Sequence, residues 1–164
     1  IALVQAWQYS HPEDVAAQAF LGDSYSALRR FDEASAQYLK ILRVDPKNIY
    51  ALNNLAFAYT KTNPAQAVTY GSQAYALAPN STAVADTYGW ALLANGQTDK
   101  ALALLEPIGS ANGAPPSYRY HYAAALARAQ QLAPARQILQ ELSTVAFAEQ
   151  AEARALLANL AAPK

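Results

Sequence analysis

Apolar and small residues recur along this chain with two superposed periods. Over short windows they fall three or four apart, as in Ala101, Leu105 and Ile108, which places them on one face of a helix. Over long windows the same phases return every 33 or 34 residues. Gly22, Ala56, Gly89 and Ala123 follow one another at steps of 34, 33 and 34; Ala34, Ala67, Ala101 and Ala135 do so at 33, 34 and 34. Pro12, Pro46 and Pro79 keep the same beat, with Gly113 where the next Pro would fall. Small residues at two fixed phases let neighbouring helices approach, and a Pro at the third opens the next unit. The pattern predicts tandem helix–turn–helix units.

Four units follow from the phases, over 15–48, 49–81, 82–115 and 116–149. In each, a first helix (A) carries a large residue, then a small one, then an aromatic or Leu three further on: Leu21-Gly22 with Tyr25, Leu55-Ala56 with Tyr59, Tyr88-Gly89 with Leu92, Tyr122-Ala123 with Leu126. A second helix (B) carries the Ala phase. Asp45-Pro46 and Asn63-Pro64 have the form of a side-chain cap followed by Pro at the first helical position, and Thr98 before Asp99 reads as the third B-helix cap. From Ala56 to Ala67 the step is 11, against 12 in the other units, so the Thr60–Pro64 turn is tightened while both helices persist. Since Ala56 and Ala123 occupy the phase of Gly22 and Gly89, a methyl group is expected to fit at both glycines. Residues 1–14 predict a half unit, a B helix whose A helix is absent, with Ile1, Val4 and Trp7 presenting apolar surface and inviting self-association through residues 1–9. A capping helix over 147–162, with Leu156, Leu157 and Leu160 on its apolar side, would cover the other end.

These phases resemble the tetratricopeptide repeat (TPR) over nearly the whole chain. The resemblance implies an all-α, right-handed α-solenoid forming one domain over 1–164 and acting as a non-catalytic protein-interaction scaffold. A narrower likeness lies in Ala51-Leu-Asn-Asn-Leu-Ala56, Asp86-Thr-Tyr-Gly-Trp-Ala-Leu-Leu93, Arg119-Tyr-His-Tyr-Ala-Ala-Ala125 and Phe147-Ala-Glu-Gln-Ala-Glu-Ala153. In that order they resemble the C-terminal part of the TPR lipoproteins of the PEP-CTERM/exosortase system of exopolysaccharide-producing Gram-negative bacteria. A periplasmic or cell-envelope location is implied by that likeness alone. TPR segments of cellulose and other polysaccharide exporters look broadly similar.

Composition narrows the chemistry. Of 164 residues 53% are apolar and 15% charged, with 12 basic and 12 acidic side chains. Six of each sign lie on either side of Thr82, so neither half offers the cationic stripe that nucleic-acid binding needs. The chain contains no Cys and no Met, which removes disulfides, thiolate metal sites and cysteine nucleophiles. Its opening Ile-Ala-Leu-Val-Gln-Ala-Trp is not a signal peptide, and no apolar run is long enough for membrane insertion. The chain reads as a soluble piece of something longer.

Catalytic constellations are missing from the sequence. His11 precedes Pro12 at a helix start, and His121 has no carboxylate three or four residues away. No Gly-rich phosphate loop, nucleophile elbow or paired acid and base is present. No enzyme activity, cofactor or metal site is expected.

By resemblance, the second, fifth, ninth and twelfth phases of each A helix line a concave groove, with the sixth beside them. These phases hold Ala16, Ala19, Asp23 and Ser26; then Tyr50, Asn53, Asn54, Phe57 and Thr60; then Asp86, Thr87, Trp90 and Leu93; then Tyr120, His121, Ala124 and Ala127. Chaperone-binding TPRs use Lys and Asn at such phases to hold a terminal carboxylate. Ala19 and Asp23 stand where those would be, which argues against that clamp. The candidate ligand-binding groove is therefore Tyr50, Asn53, Asn54, Phe57, Asp86, Trp90, Tyr120 and His121, with Tyr50 and Tyr120 expected to be exposed. Flat rings among hydrogen-bonding neighbours suit a protein or extended peptide partner, or alternatively a polysaccharide.

Overall fold

A computed structural model describes residues 1–161. Its elements are α1 (Ala2–Ser10), α2 (Val15–Ala27), α3 (Phe31–Val44), α4 (Ile49–Thr62), α5 (Pro64–Leu77), α6 (Thr82–Ala94), α7 (Thr98–Gly109), α8 (Pro116–Arg128), α9 (Leu132–Leu142) and α10 (Gln150–Ala161). The described residues contain no strand. The A and B helices of the four repeats are thus α2/α3, α4/α5, α6/α7 and α8/α9. Position 162 of the expected capping helix lies outside the described residues, and its start falls at Gln150, after a turn through Phe147.

Where the phases predict one domain over 1–164, the contacts divide the chain into two compact bodies, Ile1–Asn95 and Gly96–Lys164. The division falls in the turn between α6 and α7, where Gly96 takes a positive φ of 77° that a residue with a side chain rarely adopts. In the N-terminal body each helix from α1 to α6 packs on the next, and α4 also touches α6. In the C-terminal body α7 packs on α8, α8 on α9 and α9 on α10. Within each body the helices follow one another as in an α-solenoid.

Caps fix the helix starts, although not all at the residues expected. Asn63 accepts from the Gln66 amide with Pro64 opening α5, as read from the sequence, and α5 is intact despite the tightened turn. Asp45 does not cap α4. Its carboxylate folds the Asp45–Asn48 turn by accepting from the Lys47 amide and the Asn48 side chain, and Asn48 is the cap, accepting from Ala51. Likewise Asp14 and Ser81, not the prolines before them, cap α2 and α6. The repeating Pro therefore shapes the turn ahead of α2, α4 and α6. Thr98 is the first residue of α7 and makes no side-chain cap.

A core cluster joins Leu21, Tyr25, Ala34, Tyr38, Ile41 and Leu55 across α2, α3 and α4. Burial of such side chains is what holds a repeat together, because each helix pair alone leaves an apolar face exposed. In the C-terminal body Leu156 and Leu160 of α10 pack on Leu126, Ala127 and Ala135. Ala153, absent from the expected apolar side, is buried as well.

At the other end, α1 departs from the expected pattern. Val4 packs against the core cluster and does not face outward. Ile1 and Trp7 are exposed as expected, at 40% and 50%, but Leu3 and Tyr9 are more so, at 88% and 93%. Trp7 stacks on His11 at 3.7 Å between ring centroids, and its indole N–H donates to Asp14 Oδ2 at 2.8 Å. That bond and the Ala17 amide hold the Asp14 carboxyl below its ordinary value. A carboxylate with a depressed native pKa contributes stability that is complete above the unfolded value and is lost as pH falls through the native one. Trp7 fluorescence, read in a Trp90→Phe, His11→Gln background that removes quenching by the stacked imidazole, should therefore stay constant down to about pH 4 and change below it. Asp14→Asn, which can still cap α2, should remove that acid step; an unchanged step would show that another group controls it.

Candidate functional site

In the N-terminal body the groove phases of α2 and α4 are joined at Asp23. Its Oδ1 accepts from the Tyr38 hydroxyl at 2.9 Å and from the Tyr50 hydroxyl in a short bond. The Tyr38 and Tyr50 rings meet edge to face, 6.3 Å between centroids. Tyr38 is buried and rises from α3, so the core itself sets the position of Asp23. Asp23 then holds Tyr50 upright at the start of α4. Tyr50 remains 44% exposed, as expected from its phase. Partial burial, followed by the hydrogen bond to a carboxylate, pushes its hydroxyl well above the ordinary tyrosine range, while Asn54 bonds to it in the opposing sense. Tyr50 therefore presents a neutral phenol at any physiological pH.

Further along α4, Phe57 is half-buried and lies edge to face on Phe31, 6.4 Å between centroids. Its ring is shared between packing and the face. Asn53 Oδ1 is buried and accepts no hydrogen bond from the protein. On α6, Trp90 is half-buried and Lys61 of α4 sits over its ring at 5.4 Å, a cation–π contact that links the two helices. Asp86 and Thr87 are buried.

Tyr120 and His121 belong to α8 in the C-terminal body. The expectation that Tyr120 is exposed is corrected: it is buried, with 7% of its surface accessible, and its ring lies 6.3 Å from Phe147. The segment leading into α10 brings that ring over, and nothing in the repeat phase of α8 signals it. Burial, with the Glu152 and Glu149 carboxylates adding to it, pushes the hydroxyl up to about 12. His121 is buried beside Tyr120.

Two members of the face were missed. Phe20 stands at the sixth phase of α2 and is 50% exposed. The sixth phase points to it once the first repeat is treated like the other three. Asp23 has a groove phase but stands outside the candidate set, as the wrong residue for a carboxylate clamp. Its anionic side chain, engaged by two hydroxyls, would repel a terminal carboxylate. No group of three His, Asp or Glu side chains gathers as a metal site among the described residues. None of the described helices is long and apolar enough to cross a membrane.

Taken together, helix pairs recurring in 34-residue phase give an all-α solenoid fold like that of tetratricopeptide repeat proteins. Residues 58–120 match the tetratricopeptide repeat family. A thermophilic TPR protein of Thermus thermophilus has a similar structure, with a TM-score of 0.73 at 18% identity, covering 97% of this chain and 87% of that one. MamA AMB-1 is similar at a TM-score of 0.59 and 20% identity, covering 77% of this chain and 69% of that one. A MamA RS-1 double mutant is similar at 0.61 and 18%, covering 89% and 93%. At these identities the likeness establishes the fold. No curated protein matches the chain in sequence.

Proposed function

We propose that this chain is a non-catalytic interaction scaffold that holds an extended peptide segment of a partner protein on the α2–α4–α6 face of its N-terminal body. The observation that carries the reading is the Tyr38–Asp23–Tyr50 arrangement, in which a core residue fixes an exposed aromatic anchor before any ligand arrives. Preorganisation of this kind lowers the ordering cost of binding. Phe20 and Trp90 supply further ring surface, and the buried carbonyl of Asn53 supplies an acceptor suited to a backbone N–H.

A displayed library of random peptides provides the test. Sequences selected on the parent chain should bind Tyr50→Ala and Phe20→Ala at least about tenfold more weakly, as for anchor residues of a binding strip. Tyr59→Ala, in which a core-packing ring that touches Tyr70 is removed, should instead lower the melting temperature. Selection of no peptide, together with binding on a glycan array, would favour the alternative of a carbohydrate-binding module on the same aromatic face.

The finer proposal places this scaffold in bacterial envelope export or in exopolysaccharide and PEP-CTERM sorting, with a periplasmic location. Its support is the order of the four sequence segments that resemble those lipoproteins. Protease accessibility from the periplasm is the expected finding; a cytoplasmic location would overturn it. Self-association is a second reading, favoured by the exposure of Leu3 and Tyr9 on α1. Leu3→Glu should then lower the mass measured by sedimentation at high concentration, and an unchanged monomer in parent and variant would exclude it.

A further inference from the structure

A cavity of about 450 Å³ opens in the N-terminal body between α1, the turn before α2, and α3. It shares no lining residue with the α2–α4–α6 face. Its size lies within the roughly 300–1,000 Å³ typical of small-molecule sites. Two features of its wall leave polar groups that the fold does not fully satisfy.

The first is a cationic side. Lys40 and Arg43 stand three residues apart on α3, a spacing that puts both on one helical face, and both line the cavity. Lys40 is held in place: its Nζ donates to Gln8 Oε1 at 3.2 Å and to Gln37 Oε1 at 3.3 Å, while Gln8 Nε2 donates to that same Gln37 oxygen at 2.8 Å. An ammonium has three donors, so one remains. Arg43 has no ion pair or hydrogen bond from its guanidinium among the described residues.

The second is an accepting side. Gln18 is 99% buried on α2 and lines the same cavity. Its Nε2 donates to the Pro12 carbonyl at 2.5 Å, which fixes the orientation of the amide. Its Oε1 then accepts nothing from the protein. A buried carbonyl without a donor is costly and calls for an N–H from a ligand or a water. Glu13, which lines the same cavity, is likewise without an ion pair among the described residues. One cavity thus offers two cations on α3 and, from α2 and the turn before it, a carboxylate and a buried carbonyl oxygen.

We propose that this cavity binds a small zwitterion, an amino acid or short peptide with free termini. Its carboxylate is held by Lys40 and Arg43, and its ammonium by Glu13 and the Gln18 carbonyl. Neither charge alone explains the wall: a simple anion would leave Gln18 Oε1 unmet and face Glu13, and a simple cation would face Lys40 and Arg43.

Chemical-shift titration of the 164-residue chain distinguishes the sources. L-alanine and trialanine are the probes, with N-acetyl-trialanine amide, which has neither terminal charge, as the blocked arm. Saturable shifts at Gln18, Glu13 and Arg43 are expected with at least one free zwitterion and not with the blocked peptide. Saturation by trialanine but not alanine identifies a peptide; the reverse identifies a free amino acid. Arg43→Gln and Glu13→Gln, both at exposed positions, should each weaken binding about tenfold while the melting temperature stays that of the parent. Equal binding of the blocked peptide, no saturation by either zwitterion, or unaltered affinity in both variants would each overturn the proposal.

Discussion

Tyr38→Ala should destabilise the N-terminal body by about 3–5 kcal/mol, the range for removing a buried aromatic side chain. Tyr38 is 1% exposed and sits in the cluster with Leu21, Tyr25, Ile41 and Leu55. Its hydroxyl also satisfies Asp23, so truncation removes ring contacts and a hydrogen bond to a charged group together. Tyr38→Phe keeps the ring and should cost only about 1–2 kcal/mol, because Asp23 still receives the Tyr50 hydroxyl. Urea unfolding measured by circular dichroism separates the two variants.

The same ring governs Gly22. A Cβ built there would lie 2.5 Å from Tyr38 Cε1 and 2.8 Å from Cζ, distances that real Cβ atoms do not show. Gly22→Ala is therefore destabilising, contrary to the expectation that a methyl fits wherever the repeat phase carries Ala elsewhere. Helix propensity favours Ala by about 1 kcal/mol, and overpacking against a fully buried ring opposes it by about 1–3 kcal/mol. In a Tyr38→Ala background the clash is gone and Gly22→Ala should become neutral or stabilising. A double-mutant cycle reads this coupling directly; additive effects would show that Tyr38 is not what excludes the methyl.

Gly109→Ala is the second large effect. Its Cβ would meet Tyr122 Cβ at 2.5 Å and the Tyr118 carbonyl oxygen at 2.9 Å. Both atoms belong to the backbone of α8 or lie next to it, so relief requires α7 and α8 to separate. A cost at or above about 3 kcal/mol is expected, with amide exchange accelerated through α7 and α8. Gly71→Ala makes the graded comparison, since its Cβ would stand 3.1 Å from Tyr88 Cδ2, a ring atom that can yield. If Gly109→Ala exchanged its α8 amides no faster than Gly71→Ala, the close approach of α7 to α8 would be refuted.

Helix existence, pairing and order were legible in the chain because they depend on spacing. A 3.6-residue period places side chains on a face, and a 34-residue period returns that face to its neighbour, whatever the individual residues are. Asn63-Pro64 was legible for the same reason, since a cap and its Pro act within four residues. What the tertiary structure alone decided was which large side chain fills the space beside each small one. Gly22 faces Tyr38 of its own repeat, whereas Gly71 and Gly109 each take a tyrosine of the following A helix, Tyr88 and Tyr122. Phase equivalence with Ala56 or Ala123 says nothing of this, because the neighbour's size varies from repeat to repeat. Tyr120 illustrates the same point for function. Its phase matches the groove, and its burial follows from Phe147, a residue beyond both helices of its repeat that reaches α8 through the turn before α10. Asp23 lies in the opposite case: a residue the sequence placed only by phase joins α2 to α3 and α4 because Tyr38 and Tyr50, 15 and 27 residues away, converge on one of its oxygens.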